Sequence, residues 1–382
     1  MALSFEQGPI RPPNEAYSLL IRVTRNCPWN RCAFCRTYKG ERFSVRSVDE
    51  VKGDIRTVQE ISGEIKAISW NRGLAGEIDT SMVQTIFERP DLYREDFRRI
   101  ALWLYGGGKN VFLQDGDNLR MQADDLAAII TFLRETFPHI ERVTTYARSK
   151  TVFRTELKKL KALREVGLSR VHIGLESGYD RLLACMKKGV TAREHVEAGK
   201  KVKRSGLELS EYVILGLGGK RMWKPHAIET SKVLNQIGPH FIRVRTLKVL
   251  KDTPLYEKVR ASEFVLCSDD EIVREERLLI EGLHGIKSYF ASDHILNLLE
   301  EVEGQMPGDK AGMIGVIDRY LALPEDERLN YRLGRRAGVY RRLDDLSNPL
   351  LFQRVQDFLE KIGTASPQTV EETIASFMER YI

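Results

Sequence analysis

An apolar run, Ser18–Thr24, leads straight into three cysteines, Cys27, Cys32 and Cys35, spaced C-x4-C-x2-C. No other feature constrains this chain as much. The run reads as a β-strand, so the cysteines sit on the loop that leaves it. Three thiolates on one short loop are one ligand short of a closed four-coordinate site. On a [4Fe–4S] cube they leave one iron open, and an open iron can bind a substrate or cofactor and do chemistry.

The chain has 382 residues and only five cysteines, so it is not a disulfide framework. Cys185 and Cys267 stand alone without ligand spacing and are expected as buried thiols, with an active-site hydrogen donor as the alternative. This usage fits a reducing, cytoplasmic setting. No apolar run approaches the length of a membrane span, and the first nine residues lack the basic start and apolar core of a secretory signal. The net charge of +6 is mild for this length and does not by itself imply nucleic acid.

After the cysteine loop, short β-rich runs alternate with amphipathic helix patterns. The runs are Val111–Leu113, Arg142–Tyr146, Val171–Leu175, Leu209–Leu215 and Phe241–Leu247. Helices are expected from Ser47-Val-Asp-Glu50, a capping box, near 92–105 with a stop at Gly106–Gly108, and near 123–136, 155–166, 192–205 and 224–236. Ile65–Asn71 reads as a short extra strand. Alternating strands and helices predict an α/β fold with right-handed crossovers and a parallel sheet. Six such steps suit a partial (β/α)6, TIM-like barrel. Beyond Pro254 the pattern is mostly helical, ending with a helix over 370–381. The expected organisation is an N-terminal extension over 1–16, a barrel over 17–252 and a helical C-terminal domain over 253–382.

Two other metal centres use cysteines in such numbers. Structural zinc needs four ligands, usually as two close pairs, and no second pair or His-x3–5-His follows here. A plant-type [2Fe–2S] site shares the C-x4-C-x2-C spacing but needs a fourth cysteine from the same small domain. The next one, Cys185, lies three βα units later in a helical context.

With Phe34 before the third cysteine, the loop resembles that of the radical S-adenosylmethionine superfamily, with one residue more than that family's commonest spacing. The resemblance covers roughly residues 17–250 and extends to four strand ends. Asp115-Gly116-Asp117 stands where the family has Gly-Gly-Glu. Gly174-Leu-Glu176-Ser177-Gly178 resembles its ribose or amino segment, Ile214 and Gly216 its adenine segment, and Arg243 and Arg245 lie at the sixth strand's rim. The branch resembled is that of oxygen-independent coproporphyrinogen oxidases and methylthiotransferases, although no second three-cysteine cluster is present.

The resemblance implies that Cys27, Cys32 and Cys35 hold a [4Fe–4S] cluster and that the fourth iron chelates S-adenosylmethionine. Reductive cleavage then yields a 5′-deoxyadenosyl radical, which abstracts hydrogen from a metabolite. Phe34, Asp115, Gly116, Asp117, Glu176, Ser177, Ile214, Gly216, Arg243 and Arg245 would contact the cofactor. An electron donor such as flavodoxin or ferredoxin is implied, and no membrane. The C-terminal region is expected to cover the barrel's open side, with Ser292, Asp293 and His294 as candidate catalytic residues. Arg328–Arg342 holds six arginines and no acid. It reads as an exposed helical face, with an anion or partner surface as the alternative. Through it, RNA or a peptide is the second substrate class, and a non-catalytic electron carrier is the third reading.

Overall fold

The computed structural model describes residues 3–90, 93–363, 372–374 and 376–378. Strand and helix alternate as β1 (Leu19–Arg22), β2 (Asn110–Gln114), β3 (Arg142–Ala147), β4 (Leu168–Glu176), β5 (Glu208–Leu215) and β6 (Phe241–Thr246), with helices between them. This is the α/β order of a partial (β/α)6 barrel. No helix among the described residues is long and apolar enough to cross a membrane. Two compact units divide the chain, Met1–Gly174 with Glu197–Leu209, and Leu175–Val196 with Ser210–Ile382.

In the first unit β1, β2, β3 and β4 run parallel, each paired with the next. Register puts Arg22 beside Gln114, Phe112 beside Thr144 and Tyr146 beside His172. Because side chains alternate along strands, the other face carries Ile21, Val111, Leu113, Val143, Val171 and Ile173, all buried. Helix Val48–Asn71 packs on β1 and on helix Ala123–Thr136. Its capping box forms: Ser47 accepts from the Glu50 N–H, and Glu50 accepts from the Ser47 N–H. The strand expected over Ile65–Asn71 is instead the end of this helix. Ile65 and Ser69 continue the buried stripe Val51, Ile55, Val58 and Ser62 at helical spacing, so burial of that face outweighs the β-branched residues' local preference.

The face bearing Arg22, Gln114, Tyr146 and His172 receives the segment before β1. Gln114 accepts from the Gly8 N–H and donates to the Gly8 and Ile10 carbonyls. The buried Glu15 carboxylate takes Ser18 Oγ (2.5 Å) and Arg142 (3.0 Å) and lies 3.5 Å from His172 Nε2.

In the second unit β5 and β6 are parallel, and two short strands extend them: β7 (Tyr289–Ala291), parallel to β6, and β8 (Glu303–Gln305), antiparallel to β7. The region beyond residue 253 is otherwise helical. The helix expected over 370–381 lies largely outside the described residues. The helix expected from Lys224 begins earlier, at Gly219, and carries Pro225 inside it.

The arginine-rich stretch is not an exposed face. Arg335 and Arg336 are buried. Arg336 donates to the Leu296 carbonyl (2.6 Å) and Asp269 (2.8 Å), Arg335 to Glu300 (2.7 Å), and Arg328 to the Leu321 and Leu323 carbonyls. The acids missing from the local sequence come from residues 269–301. Removing one partner of a buried pair strands the other charge. We expect Arg336→Ala to cost about 3–5 kcal/mol, and the exposed Arg341→Ala less than about 1 kcal/mol. Denaturant melts of both variants check this.

Candidate functional site

In the first unit the three cysteines lie on the loop between β1 and helix Val48–Asn71, half-buried and without disulfides, whereas Cys185 and Cys267 are not the buried thiols expected: Cys185, at the end of a short helix, is exposed and Cys267 is half-buried. Asn26 and Asn30 take left-handed backbone, φ 70° and 46°, a conformation asparagine tolerates better than most residues. These two reversals fold a loop one residue longer than the commonest spacing.

Asp115 clamps this loop. Its buried carboxylate accepts from Arg22 Nε (2.7 Å), from the Asn26 N–H (3.0 Å) and from the Tyr38 hydroxyl (2.6 Å). Asn26 precedes Cys27 and Tyr38 follows Cys35, so one carboxylate holds both ends of the cysteine segment. Burial, then the Asp115 charge, push the Tyr38 hydroxyl's pKa well above its usual range, so it stays a donor. Gly116 lies directly behind: a Cβ there would stand 3.3 Å from Cys27 Cβ.

Asp117 is buried too. It accepts from Thr151 Oγ1 (2.5 Å) and the Arg148 N–H (3.1 Å), and burial pushes its pKa up to about 6. The Arg148 guanidinium stacks over Trp29, 5.0 Å from the ring centre, and Arg31 lies 5.3 Å from the same ring. This gives the loop a further anchor. Phe34 is half-buried between Cys32 and Cys35. Thus Asp115 braces the cysteine loop directly, Asp117 secures the backbone of the Arg148 that stacks on it, and Gly116 leaves room for Cys27.

No three His, Cys, Asp or Glu side chains among the described residues come together to hold a single metal ion. On a cube each thiolate goes to its own iron. Three thiolates on a braced, half-buried loop therefore fit a [4Fe–4S] cluster in number and chemistry.

In the second unit Glu176 ends β4 with φ 61° and takes Lys188 Nζ at 2.8 Å. Ser177 is buried, its hydroxyl 2.9 Å from His226 Nδ1. Gly216 turns at φ 80° after β5 and gives its N–H to Glu275 (3.0 Å). Ile214 gives its carbonyl to His226 Nε2 (3.0 Å).

The register Arg243 to Ala291 sets Ser292, Asp293 and His294 just beyond the end of β7, beside β6. Arg243 pairs with Asp293 (2.5 Å). Arg245 stacks over Tyr212, 5.5 Å from the ring centre. Burial, then Arg245, push the His294 pKa down to about 3, so this imidazole is neutral. Ser292 is buried and bonded to Asn297 Nδ2 (3.0 Å) and Glu276. The structure thus brings Arg243, Arg245, Asp293 and His294 together and turns Ser292 inward.

Sequence reading missed three buried acids of this unit. Glu211 has no hydrogen-bond partner on either oxygen, and burial, then Glu176, push its pKa well up. Glu275 and Glu276 are raised to about 8, by burial first. No local motif marks them. The signal was an acid among apolar residues in a β-strand for Glu211, and two acids on the apolar stripe of helix Asp269–Gly282 for the others.

These raised pKa values make stability depend on pH. An acid protonated in the fold up to pH 8 but only up to about 4.5 when unfolded favours the fold at low pH. We expect the melting temperature to fall as pH rises from 7 to 8.5, above the range in which the buried histidines titrate when unfolded, and Glu276→Gln to flatten that slope. Thermal melts across this range check it.

The protein family whose description is "Radical SAM superfamily" matches residues 21–229, more than half of the chain. Over 122 residues the chain is 26% identical to a tRNA uridine(34) acetyltransferase of Methanocaldococcus infernus, covering 30% of this chain and 22% of that protein. Over 205 residues it is 24% identical to a tRNA-2-methylthio-N(6)-dimethylallyladenosine synthase of Delftia acidovorans, covering 47% and 44%. The chain thus spans less than half the length of these relatives. Among solved structures, coproporphyrinogen III oxidase (HemN) from Escherichia coli matches at 14% identity and a TM-score of 0.40, covering 69% of this chain and 52% of that one.

Proposed function

Because the chain belongs to the radical SAM superfamily, whose members use a [4Fe–4S] cluster and S-adenosylmethionine, we propose that it is an enzyme that abstracts hydrogen from a small-molecule metabolite. The observation that carries this reading is the Asp115 clamp on both ends of the cysteine loop. When bound, the cluster and S-adenosylmethionine supply the one-electron cleavage that releases a 5′-deoxyadenosyl radical.

The chain's own residues divide the remaining work. Cys27, Cys32 and Cys35 are the cluster ligands. Asp115, Tyr38 and Arg22 hold their loop, and Asp117 holds Arg148 against Trp29. Glu176 is the acceptor for a hydroxyl or ammonium of S-adenosylmethionine. The backbone turn at Ile214–Gly216 lets the adenine approach closely. Arg243 is neutralised by Asp293, which leaves Arg245 to receive a carboxylate or phosphate. His294, neutral beside it, is a hydrogen-bond partner for substrate. The region from 253 onward would shield the radical from water, with an electron donor such as flavodoxin or ferredoxin as partner.

Anaerobic reconstitution tests this reading. We expect about four irons per chain, a spectrum perturbed by S-adenosylmethionine, and 5′-deoxyadenosine release that Cys27→Ala, Cys32→Ala and Cys35→Ala each abolish. Glu176→Gln should weaken cofactor binding about tenfold, the loss of one charge-assisted hydrogen bond. Zinc-loaded, iron-free protein would overturn the proposal.

A second reading, with RNA as substrate, is favoured by a basic face of the first unit. Lys158, Lys159, Lys161, Arg164, Lys203 and Arg204 are exposed on helix Leu157–Glu165 and at the end of helix Ala192–Arg204, tied together by Arg164 Nε donating to the Gly206 carbonyl (3.0 Å). A pocket of about 560 Å³ opens beside them, lined by Arg134, Arg142, Arg164 and Arg170 with Glu141, Glu165 and Glu208. It lies by the starts of β3 and β4, whereas the cysteine loop lies beyond the ends of β1 and β2. A ligand touching both must span roughly 20–30 Å, which a folded RNA does and a metabolite does not. Binding of an unmodified tRNA that weakens steeply from 50 to 200 mM salt, and is lost in Lys158→Glu/Lys161→Glu/Lys203→Glu, would support this reading; no binding at 50 mM would remove it.

A further inference from the structure

A buried chain of hydrogen bonds in the second unit links the two backbone segments proposed above to hold S-adenosylmethionine. Its centre is His226 on helix Gly219–Ile237, which is 1% exposed. His226 Nε2 faces the Ile214 carbonyl (3.0 Å) and Glu275 Oε1 (3.3 Å). A carbonyl only accepts, so Nε2 carries the proton and Nδ1 is the acceptor. Two hydroxyls lie at Nδ1, Ser177 Oγ at 2.9 Å and Thr230 Oγ1 at 3.2 Å.

Each hydroxyl in turn accepts a backbone N–H. Ser177 Oγ takes that of Tyr179 (3.0 Å), and Thr230 Oγ1 that of Gly178 (2.8 Å). The Gly216 N–H goes to Glu275 Oε1 at 3.0 Å. One imidazole and one carboxyl group therefore fix the backbone at residues 178, 179, 214 and 216. Packing adds to this: a Cβ on Gly178 would stand 2.5 Å from the Glu229 carbonyl oxygen.

The order serine, histidine, glutamate invites a nucleophilic reading. Burial excludes it, since Ser177 and Glu275 are 0% exposed and no substrate reaches the hydroxyl. The network's outputs are backbone positions instead.

We infer that His226, Thr230 and Glu275 are positioning residues that lock the 176–178 and 214–216 segments together, so that helix Asp269–Gly282 of the C-terminal region sets the affinity for S-adenosylmethionine. This rests on the reading that those segments bind the cofactor. Glu275 acts through Oε1 as an acceptor, so an amide can replace its carboxyl group.

The test is equilibrium dialysis of S-adenosylmethionine against anaerobically reconstituted full-length protein, with iron content and melting temperature measured in parallel. Glu275→Gln should bind within about twofold of wild type. Glu275→Ala and the near-isosteric Thr230→Val should bind roughly fivefold to tenfold more weakly, each leaving one backbone N–H, that of Gly216 or of Gly178, without its buried acceptor, with iron unchanged. Arg277→Ala, on the same helix but paired at the surface with Asp318, should leave the Kd unaltered whatever it does to the melting temperature. In cleavage assays the KM for S-adenosylmethionine should rise in Glu275→Ala while kcat holds. Wild-type Kd in both Glu275→Ala and Thr230→Val would overturn the inference. Loss equal in Glu275→Gln and Glu275→Ala would overturn the acceptor role. Failure of the wild-type protein to bind at all would overturn the underlying reading and this inference with it.

Discussion

The first unit is organised around one buried carboxylate. Asp115 accepts three hydrogen bonds from groups far from it in sequence: Arg22 at the end of β1, Asn26 before the first cysteine and Tyr38 after the last. A carboxylate with its lone pairs so occupied tolerates burial that an unpaired one would not. The charge continues outward. Arg22 also meets Glu6, which meets Arg25 and Arg46, and Arg46 meets Asp54 on helix Val48–Asn71. Extended strand, irregular loop, N-terminal segment and long helix are thereby registered on one alternating set of charges.

The second unit treats its acids differently. Glu275 and Glu276 are held near a pKa of 8, and Glu211 lacks any hydrogen-bond partner. As neutral acids they avoid the full cost of burying charge. What they gain is geometry: Glu275 receives the Gly216 N–H, and Glu276 bonds to Ser292. For Glu211 the structure offers no such return.

The parts legible in the sequence were the local ones. A strand running into three cysteines, the capping box at Ser47 and the alternation of strands and helices all follow from neighbours a few residues apart, and each is present. Ile65–Asn71 was misread because its β-branched residues point to a strand when taken alone, while the helical stripe begun at Val51 decides the outcome. Arg335 and Arg336 looked solvated because their acids, Glu300 and Asp269, lie 35 and 67 residues away. Asp115 was recognisable as an acid at a strand end. That its partners belong to the cysteine loop follows only from the pairing of β1 with β2. His226 and Glu275 carried no motif, since the carbonyl, the backbone N–H and the two hydroxyls they meet come from separate stretches of chain.

The family resemblance begins at residue 21, yet several groups that balance the charges inside that region lie before it. Glu6 answers Arg22, Arg25 and Arg46, and Glu15 answers Arg142 and stands beside His172. A fragment cut to the boundaries of the recognisable family would keep the cations and lose the anions, and Gln114 would lose the Gly8 and Ile10 backbone it holds. The stretch matched by the family and the stretch that balances its own charges are therefore different in this chain. The short leader ahead of β1 behaves as a counterion that is covalently attached, and it should be inherited, swapped or engineered together with the arginines it neutralises.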